Sequence, residues 1–210
     1  MKAVHGLLLA VLVLAVPACG GNISVPAPLL DDQFNGGFPG VNWTPPATTG
    51  SGTTVQITSG RLAFTTTSAS SSATTTTQMS FANPSLSMDF QAAILPVALT
   101  DQGAATVAIL DHTMTVVASL TWDSPTQMVT YKIQGTTVAS VGAPPNNGSL
   151  SGFRFTVDSM GQAAWFFNNA QQGSAVAIPA GKLFLQIGAA FGTGTQWPEI
   201  DFDNVTITSP

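Results

Sequence analysis

The closing stretch, Gly152 to Thr208, most constrains what this chain can fold into. Gly152-Phe-Arg-Phe-Thr-Val-Asp158 alternates apolar and polar residues, Ser159-Met160-Gly161-Gln162 reads as a turn, and Ala163-Ala-Trp-Phe-Phe-Asn-Asn169 returns as a second strand. After a Gly/Ser break, Lys182-Leu-Phe-Leu-Gln-Ile-Gly-Ala189 makes a third strand, and Glu199-Ile-Asp-Phe-Asp-Asn-Val-Thr-Ile-Thr208 a fourth. Side chains on a strand alternate between faces, so a chain patterned this way folds as stacked antiparallel sheets with one apolar face each.

The earlier chain repeats the theme. Leu86, Met88, Phe90, Ala92 and Ile94 share one parity opposite Ser87, Asp89 and Gln91, and Ala105, Val107 and Ile109 continue the pattern. Met114, Val116, Ala118, Leu120 and Trp122 form another inward row, answered by Val129, Tyr131 and Ile133. Leu29–Phe34 reads as the first strand, and residues 54–66 as a hairpin around Ser59-Gly60. The Ser/Thr run from Ser68 to Thr77 reads as a loop or as an edge strand with hydroxyls in water on both sides. No segment after the leader carries helical periodicity, and about a dozen strands are expected.

Charged residues make up 7% of the sequence, against about 25% in an ordinary domain. Of the five Lys and Arg, Lys2 lies in the leader, and Arg61, Lys132, Arg154 and Lys182 are scattered. With a formal net charge of −5, the chain has no basic stripe to neutralise phosphates, which argues against nucleic acid as a partner.

Met1-Lys2 and the apolar run Leu7 to Val16 have the form of a signal peptide, and the run falls short of the ~20 residues a spanning helix needs. Val16-Pro17-Ala18 precedes Cys19, the only cysteine. The string resembles the lipobox of bacterial lipoproteins, with Pro17 standing where a small or hydroxyl residue is usual. The expected plan is a signal peptide over 1–18, a lipidated tether over 19–28 and a β-sandwich over 29–210. That implies export and lipid anchoring in the bacterial cell envelope. Gly20, in place of an Asp after the cysteine, directs the expectation to the outer membrane. Secretion after Ala18 with a free thiol is the other reading.

The order of elements, Asp32-Gln-Phe34 opening the fold and Phe202-Asp-Asn-Val-Thr-Ile207 closing it around the hairpin Phe153–Asn169, resembles the concanavalin A-like lectin/glucanase superfamily and its laminin-G-like bacterial lipoproteins. The resemblance covers Leu29 to Pro210. It implies an all-β fold of two antiparallel sheets stacked as a jelly roll, with sugars held on the concave sheet or in its rim loops.

Glu199-Ile-Asp-Phe-Asp203 is similar to the Glu-x-Asp-x-(x)-Glu strand of that superfamily's β-glucanases, where two Glu perform catalysis. Here Asp203 or Asn204 stands in place of the second Glu, and the string lies at the end of the chain. The parity itself suggests a different reading. Ile200 and Phe202 share one parity, Val205 and Ile207 the other, so both pairs face the core only if a β-bulge sits at Asp203-Asn204. Asp201, Asp203 and Asn204 are the candidate ligands for a Ca²⁺ ion, which takes several oxygens; no other cofactor is indicated.

A pyranose offers an apolar face and a hydroxyl rim, so aromatic platforms with nearby polar groups are the pattern to seek. Trp43 and Trp197 flank Pro-containing loops and are the candidate exposed platforms; Trp122 and Tyr131 fall on inward parities, and Trp165 stands in a run apolar on both faces. Asp89, Gln91, Arg154 and Gln186 are the candidate polar lining of a concave face. The function expected is a non-catalytic module that binds a glycan or a surface protein. A hydrolase acting on a sugar conjugate and a purely structural envelope protein are the alternatives.

Overall fold

The computed structural model describes residues 27–96 and 101–209. The leader, Cys19 and most of the expected tether therefore lie outside the described residues. The strands run in chain order as β1 (Leu30–Asp32), β2 (Ala47–Thr49), β3 (Thr53–Thr58), β4 (Arg61–Thr66), β5 (Ser71–Thr76) and β6 (Phe81–Ala82). The long central strands follow: β7 (Leu86–Leu95), β8 (Gly103–Asp111), β9 (Val116–Asp123), β10 (Met128–Ile133) and β11 (Thr136–Gly142). The chain closes with β12 (Ser151–Val157), β13 (Gln162–Phe167), β14 (Ala170–Ala177), β15 (Lys182–Phe191) and β16 (Glu199–Thr208).

These strands form two antiparallel sheets of eight strands each. The first is ordered β14-β13-β12-β7-β16-β4-β3, with β1 also on β16, and the second β11-β10-β9-β8-β15-β5-β2, with β6 also on β15. The fold is the jelly-roll sandwich expected from the alternation. Its first and last strands are neighbours, Leu30 opposite Ile207 and Asp32 opposite Val205.

The parity switch in β16 has the cause the sequence suggests. Asp203 pairs with Gln91 but Thr206 pairs with Asp89, so β16 carries one residue more than β7 across this step. Asn204 takes up the excess at φ 51°, a left-handed conformation that Asn tolerates better than most side chains. Ile200, Phe202, Val205 and Ile207 are all fully buried as a result.

Between the sheets lies a chain of rings. Phe90 stacks on Phe153 at 5.6 Å, Phe153 on Phe167 at 5.2 Å, and Trp122 reaches Phe153 from the other sheet at 6.0 Å. Phe155, Trp165 and Tyr131 continue the series. Each buried ring contributes up to ~3 kcal/mol of transfer free energy, and each pair about 0.5–1.5 kcal/mol more.

Three expectations need correction. The Ser/Thr run forms β5, which lies between β15 and β2. Its Ser71, Ala73 and Thr75 are buried, because protein acceptors replace water: Thr75 Oγ1 donates to Thr44 O (2.7 Å) and Ser71 Oγ to Ser68 O (2.9 Å). The row proposed from Met114 starts inward only at Ala118. A register shift at Ile109/Leu110 leaves Met114 and Val116 exposed. Finally, the Gly/Ser break before Lys182 is the strand β14, and β11 carries no alternating signal in the sequence, because both are polar edge strands.

The two edge strands meet and shut one side of the sandwich. Gln134 Nε2, in the turn before β11, donates to Ala177 O (2.9 Å). A Cβ on Gly173 (φ +71°) would stand 2.1 Å from Val138 O. Gly173→Ala is therefore expected to destabilise the fold by ~2 kcal/mol or more in a urea melt; an unchanged midpoint would show that the two edges do not touch.

Candidate functional site

The outward face of the first sheet is polar along its middle strands, and the register brings those residues side by side. Arg154 on β12 is directly opposite Asp89 on β7 and Phe166 on β13. One row on, Gly152 is opposite Gln91, which in turn faces Asp203 at the bulge. Directly opposed residues on one face have Cβ atoms ~5 Å apart, so these rows form a continuous surface.

That surface holds a cleft of about 420 Å³, lined by Asp89, Gln91, Arg154, Phe166 and Asn204, with Leu150, Asn168 and Asn169 among the rim residues. Its depth comes from Gly152. A Cβ built there meets nothing within 4 Å, so a missing side chain in the middle of a sheet face leaves open space. Underneath, Phe90 and Phe153 point inward and belong to the stacked rings of the core. The floor is thus backbone braced by aromatic packing.

Hydrogen bonds hold the lining in place. Arg154 Nε donates to Asp89 Oδ1 and Ser87 Oγ to Asp89 Oδ2 (2.8 Å). The ion pair is partly solvated, with side-chain exposures of 41% and 36%; such a pair adds under ~1 kcal/mol to stability, so its effect here is to orient. The bulge residue Asn204 donates from Nδ2 to Gln91 Oε1 (2.6 Å). Gln91 then retains its Nε2 donors, and Arg154 its terminal nitrogens, without a partner among the described residues. Asn168 and Asn169 make a two-residue turn from β13 to β14 with φ of 47° and 64°, the double left-handed geometry of a type I′ hairpin.

Asp89, Gln91 and Arg154, three of the polar residues singled out from parity, are thus brought together. Gln186 is not with them: it projects outward from β15 in the other sheet and donates to Thr76 Oγ1 (3.1 Å). The two tryptophans are corrected as well. Trp43 is 1% exposed, because its loop folds back onto the sandwich and Asp32 Oδ2 accepts its Nε1 hydrogen (2.9 Å). Trp197 is half-buried against the core, with Nε1 bonded to Gly192 O (3.0 Å). Neither lines the cleft. Its aromatic is Phe166, half-buried on the outer face, which sequence reasoning missed along with Gly152, Asn168 and Asn169. The available signal was the two-sided apolar run 163–167: with Trp165 inward against Phe155, Phe166 has to face out.

The candidate metal residues each make at least one protein contact, while Asp201 Oδ1 is buried without a hydrogen-bond partner among the described residues. Asp201 is 3% exposed and receives Arg61 Nη1 at 3.4 Å. Asp203 Oδ1 accepts the Asn204 backbone N–H (2.7 Å), and the Asn204 amide is committed to Gln91. Among the described residues no group of three or more His, Cys, Asp or Glu is placed to hold a metal ion.

Arg61 also donates to Gly148 O (3.1 Å), and Gly148 N bonds Ile94 O (3.0 Å). The loop that delivers Leu150 to the cleft is thereby tied to the sheet beside Asp201. Burial, and then the neighbouring Glu199 charge, push the Asp201 carboxyl up to about 6 from 3.8, against the opposing pull of Arg61. A raised folded-state value means the native protein binds this proton more tightly than the unfolded chain does. Ionised Asp201 therefore costs stability above pH 6, and the cost vanishes as pH falls from about 6 towards 4. Its contribution between pH 7 and 4.5 is expected to rise by roughly 2–3 kcal/mol. Thermal melts of wild type and Asp201→Asn should separate in slope across that window; superimposable slopes would contradict the assignment.

No protein-family model matches the chain, and no curated protein matches it. Solved structures do. The carbohydrate recognition domain of Emp47p aligns with a TM-score of 0.67 at 14% identity, covering 86% of this chain and 94% of that one. A Bacillus subtilis protein of unknown function with a galectin-like fold gives 0.64 at 8% identity, over 88% and 96% of the two chains. The carbohydrate-binding module CBM66 from Bacillus subtilis gives 0.52 at 12%, over 80% and 96%. The chain has a concanavalin A-like, galectin-like jelly-roll fold.

Proposed function

We propose that this chain is a glycan-binding module carried on the bacterial cell envelope. The observation that carries the reading is the cleft itself. A hole left by Gly152 is bordered by one aromatic face, Phe166, and by a rim of directional groups: Gln91, Arg154, Asn168, Asn169 and Asn204. An apolar face with a ring of donors and acceptors is the chemistry a pyranose requires, and a volume of about 420 Å³ accommodates one or two sugar rings, within the ~300–1,000 Å³ range of small-molecule sites. Asp89 and Arg154 neutralise each other, which favours uncharged sugars. The fold neighbours named above include carbohydrate-recognition and carbohydrate-binding domains, which supports the same reading.

Binding is favoured over hydrolysis by the carboxylates. A glycosidase of the usual kind flanks the scissile bond with two of them. The residues lining this cleft include one, Asp89, already engaged by Arg154 and Ser87.

A glycan array followed by calorimetric titration tests the proposal. Phe166→Ala is expected to cost ~2 kcal/mol, about thirtyfold in Kd. A Cβ at Gly152 meets nothing within 4 Å, so Gly152→Ala should leave the melting temperature close to wild type, while Gly152→Leu, which projects further into the hole, should abolish binding. Array-positive protein whose affinity survives both substitutions would place the sugar elsewhere.

The envelope half of the proposal rests on the leader and Cys19. Metabolic labelling with a fatty-acid analogue should mark the protein, and Cys19→Ser should move it from the detergent phase to the aqueous phase. Unlabelled, water-soluble wild type would overturn it.

A further inference from the structure

Apolar exposure on this sandwich is concentrated at one end. Among the described residues, the large hydrophobic residues left in solvent are Leu29, Val41, Met79, Met114, Val116 and Met160. Leu29, Met79, Met114, Val116 and Met160 map to one end by strand direction. Leu29 N bonds Ile207 O at the finish of β16. Ser87 at the start of β7 faces Thr208, and Val157 at the finish of β12 faces Leu86. Met160 forms the turn that follows. On the second sheet, Ile178 N bonds Gly161 O, which brings the start of β15 to this end. Leu183 there faces Asp111, so the turn carrying Met114 and Val116 lies alongside. Met79 sits between Thr77, bonded to Leu185 O, and Phe81, opposite Leu183.

The two methionine turns are alike in construction. Asp111 Oδ1 accepts the N–H groups of Thr113 (2.8 Å) and Thr115 (3.0 Å), and Asp158 Oδ1 those of Met160 (2.8 Å) and Gln162 (2.9 Å). In each, the carboxylate is turned back into its own loop while a methionine stands out, Met160 at 79% and Met114 at 53% exposure. The exposed ionisable residues at this end are Asp31, His112, Asp158 and Lys182, and Asp158 is the one whose carboxylate is drawn into its own methionine turn. Unbranched thioethers adapt to an irregular, mobile surface better than branched side chains do.

We infer that this end, the collar of Leu29, Met79, Met114, Val116 and Met160 with Lys182 beside it, is a docking surface for the phospholipid bilayer. The chain enters the sandwich at this end, through Ala27 to Leu30, directly after the segment that carries Cys19. The eight residue steps from Cys19 to Ala27 span at most ~28 Å when extended, so an anchor at Cys19 keeps this end within that reach of the membrane. The inference rests on the envelope-anchored reading above for what brings the bilayer near. The orientation also serves the cleft. Gln91 and Gly152 lie towards the opposite end, and Gln91 is five residues along β7 from Leu86, roughly 17 Å at the rise of a strand. A docked collar turns the sugar site away from the lipid.

The methionines supply their own test. Full-length protein carrying ¹³C-methyl methionine is reconstituted in phosphatidylcholine bicelles doped with a gadolinium-chelating lipid, and acylation of Cys19 is read separately by mass spectrometry of the N-terminal peptide. The expected result is broadening of the Met79, Met114 and Met160 methyl signals. Met88, in the core, and Met128, at the start of β10 and so at the far end, stay sharp. Acylated, bicelle-bound protein whose collar methyls remain sharp, or broaden no more than Met128, overturns the inference and leaves the anchor standing. Unacylated protein whose collar methyls still broaden upholds the inference and removes the anchor. Absence of both acylation and broadening overturns it.

Discussion

The bulge at Asp203-Asn204 is the constraint on which the first sheet depends. β16 lies at its centre, with β7 on one side and two different partners on the other. Ile200 to Phe202 pair with β4, and Leu30 to Asp32 of β1 pair with Val205 to Ile207. The change of partner falls at the bulge. Without the extra residue, Val205 and Ile207 would turn to solvent and the closing strand would lose half its core face. Burying Val205 and Ile207 is worth ~3–5 kcal/mol together, more than the ~1–3 kcal/mol that a left-handed Asn can cost.

The same residue connects architecture to site. An Asn displaced from the regular alternation reaches Gln91 across the sheet face, and that contact fixes one wall of the cleft. The opposite wall is a turn whose two Asn residues hold left-handed backbone. Between them the floor is open because β12 has a glycine where its neighbours have side chains. The lining is therefore set by backbone geometry and by the ring stack beneath it, so little ordering remains to be done when a ligand enters, which is what favours binding by a small polar site.

Much of this was legible in the chain. Strong alternation in Leu86–Leu95 and in Gly152–Val157 places Asp89, Gln91 and Arg154 outward, and antiparallel pairing then makes them neighbours. The bulge follows from parity alone. Gln186 shows the limit of parity: it does face outward, but parity does not say which sheet a strand joins. Trp43 and Trp197 show another. A tryptophan beside proline in a loop looks exposed until the loop has somewhere to fold, and here Asp32 and Gly192 supply acceptors for the indole N–H groups. Phe166 was hidden by an apolar run that served both faces. Gly152 was hidden because a glycine within a strand leaves no side-chain signal, and an open space is defined only by the neighbours that fail to fill it. β5, β11 and β14 were obscured by composition, since their cores and edges are built from hydroxyls and small residues whose partners lie far away in sequence.

The central claim, that the Gly152 cleft is where sugar binds, is most directly tested by side-chain amide and indole NMR during titration with the tightest glycan from an array. The account predicts shifts at the Asn204, Gln91, Asn168 and Asn169 amides and at the Arg154 Nε–H, while the Trp43 and Trp197 indoles stay still. Saturable binding that moves the Trp197 indole or the Gln186 amide and leaves the cleft amides unperturbed would contradict it.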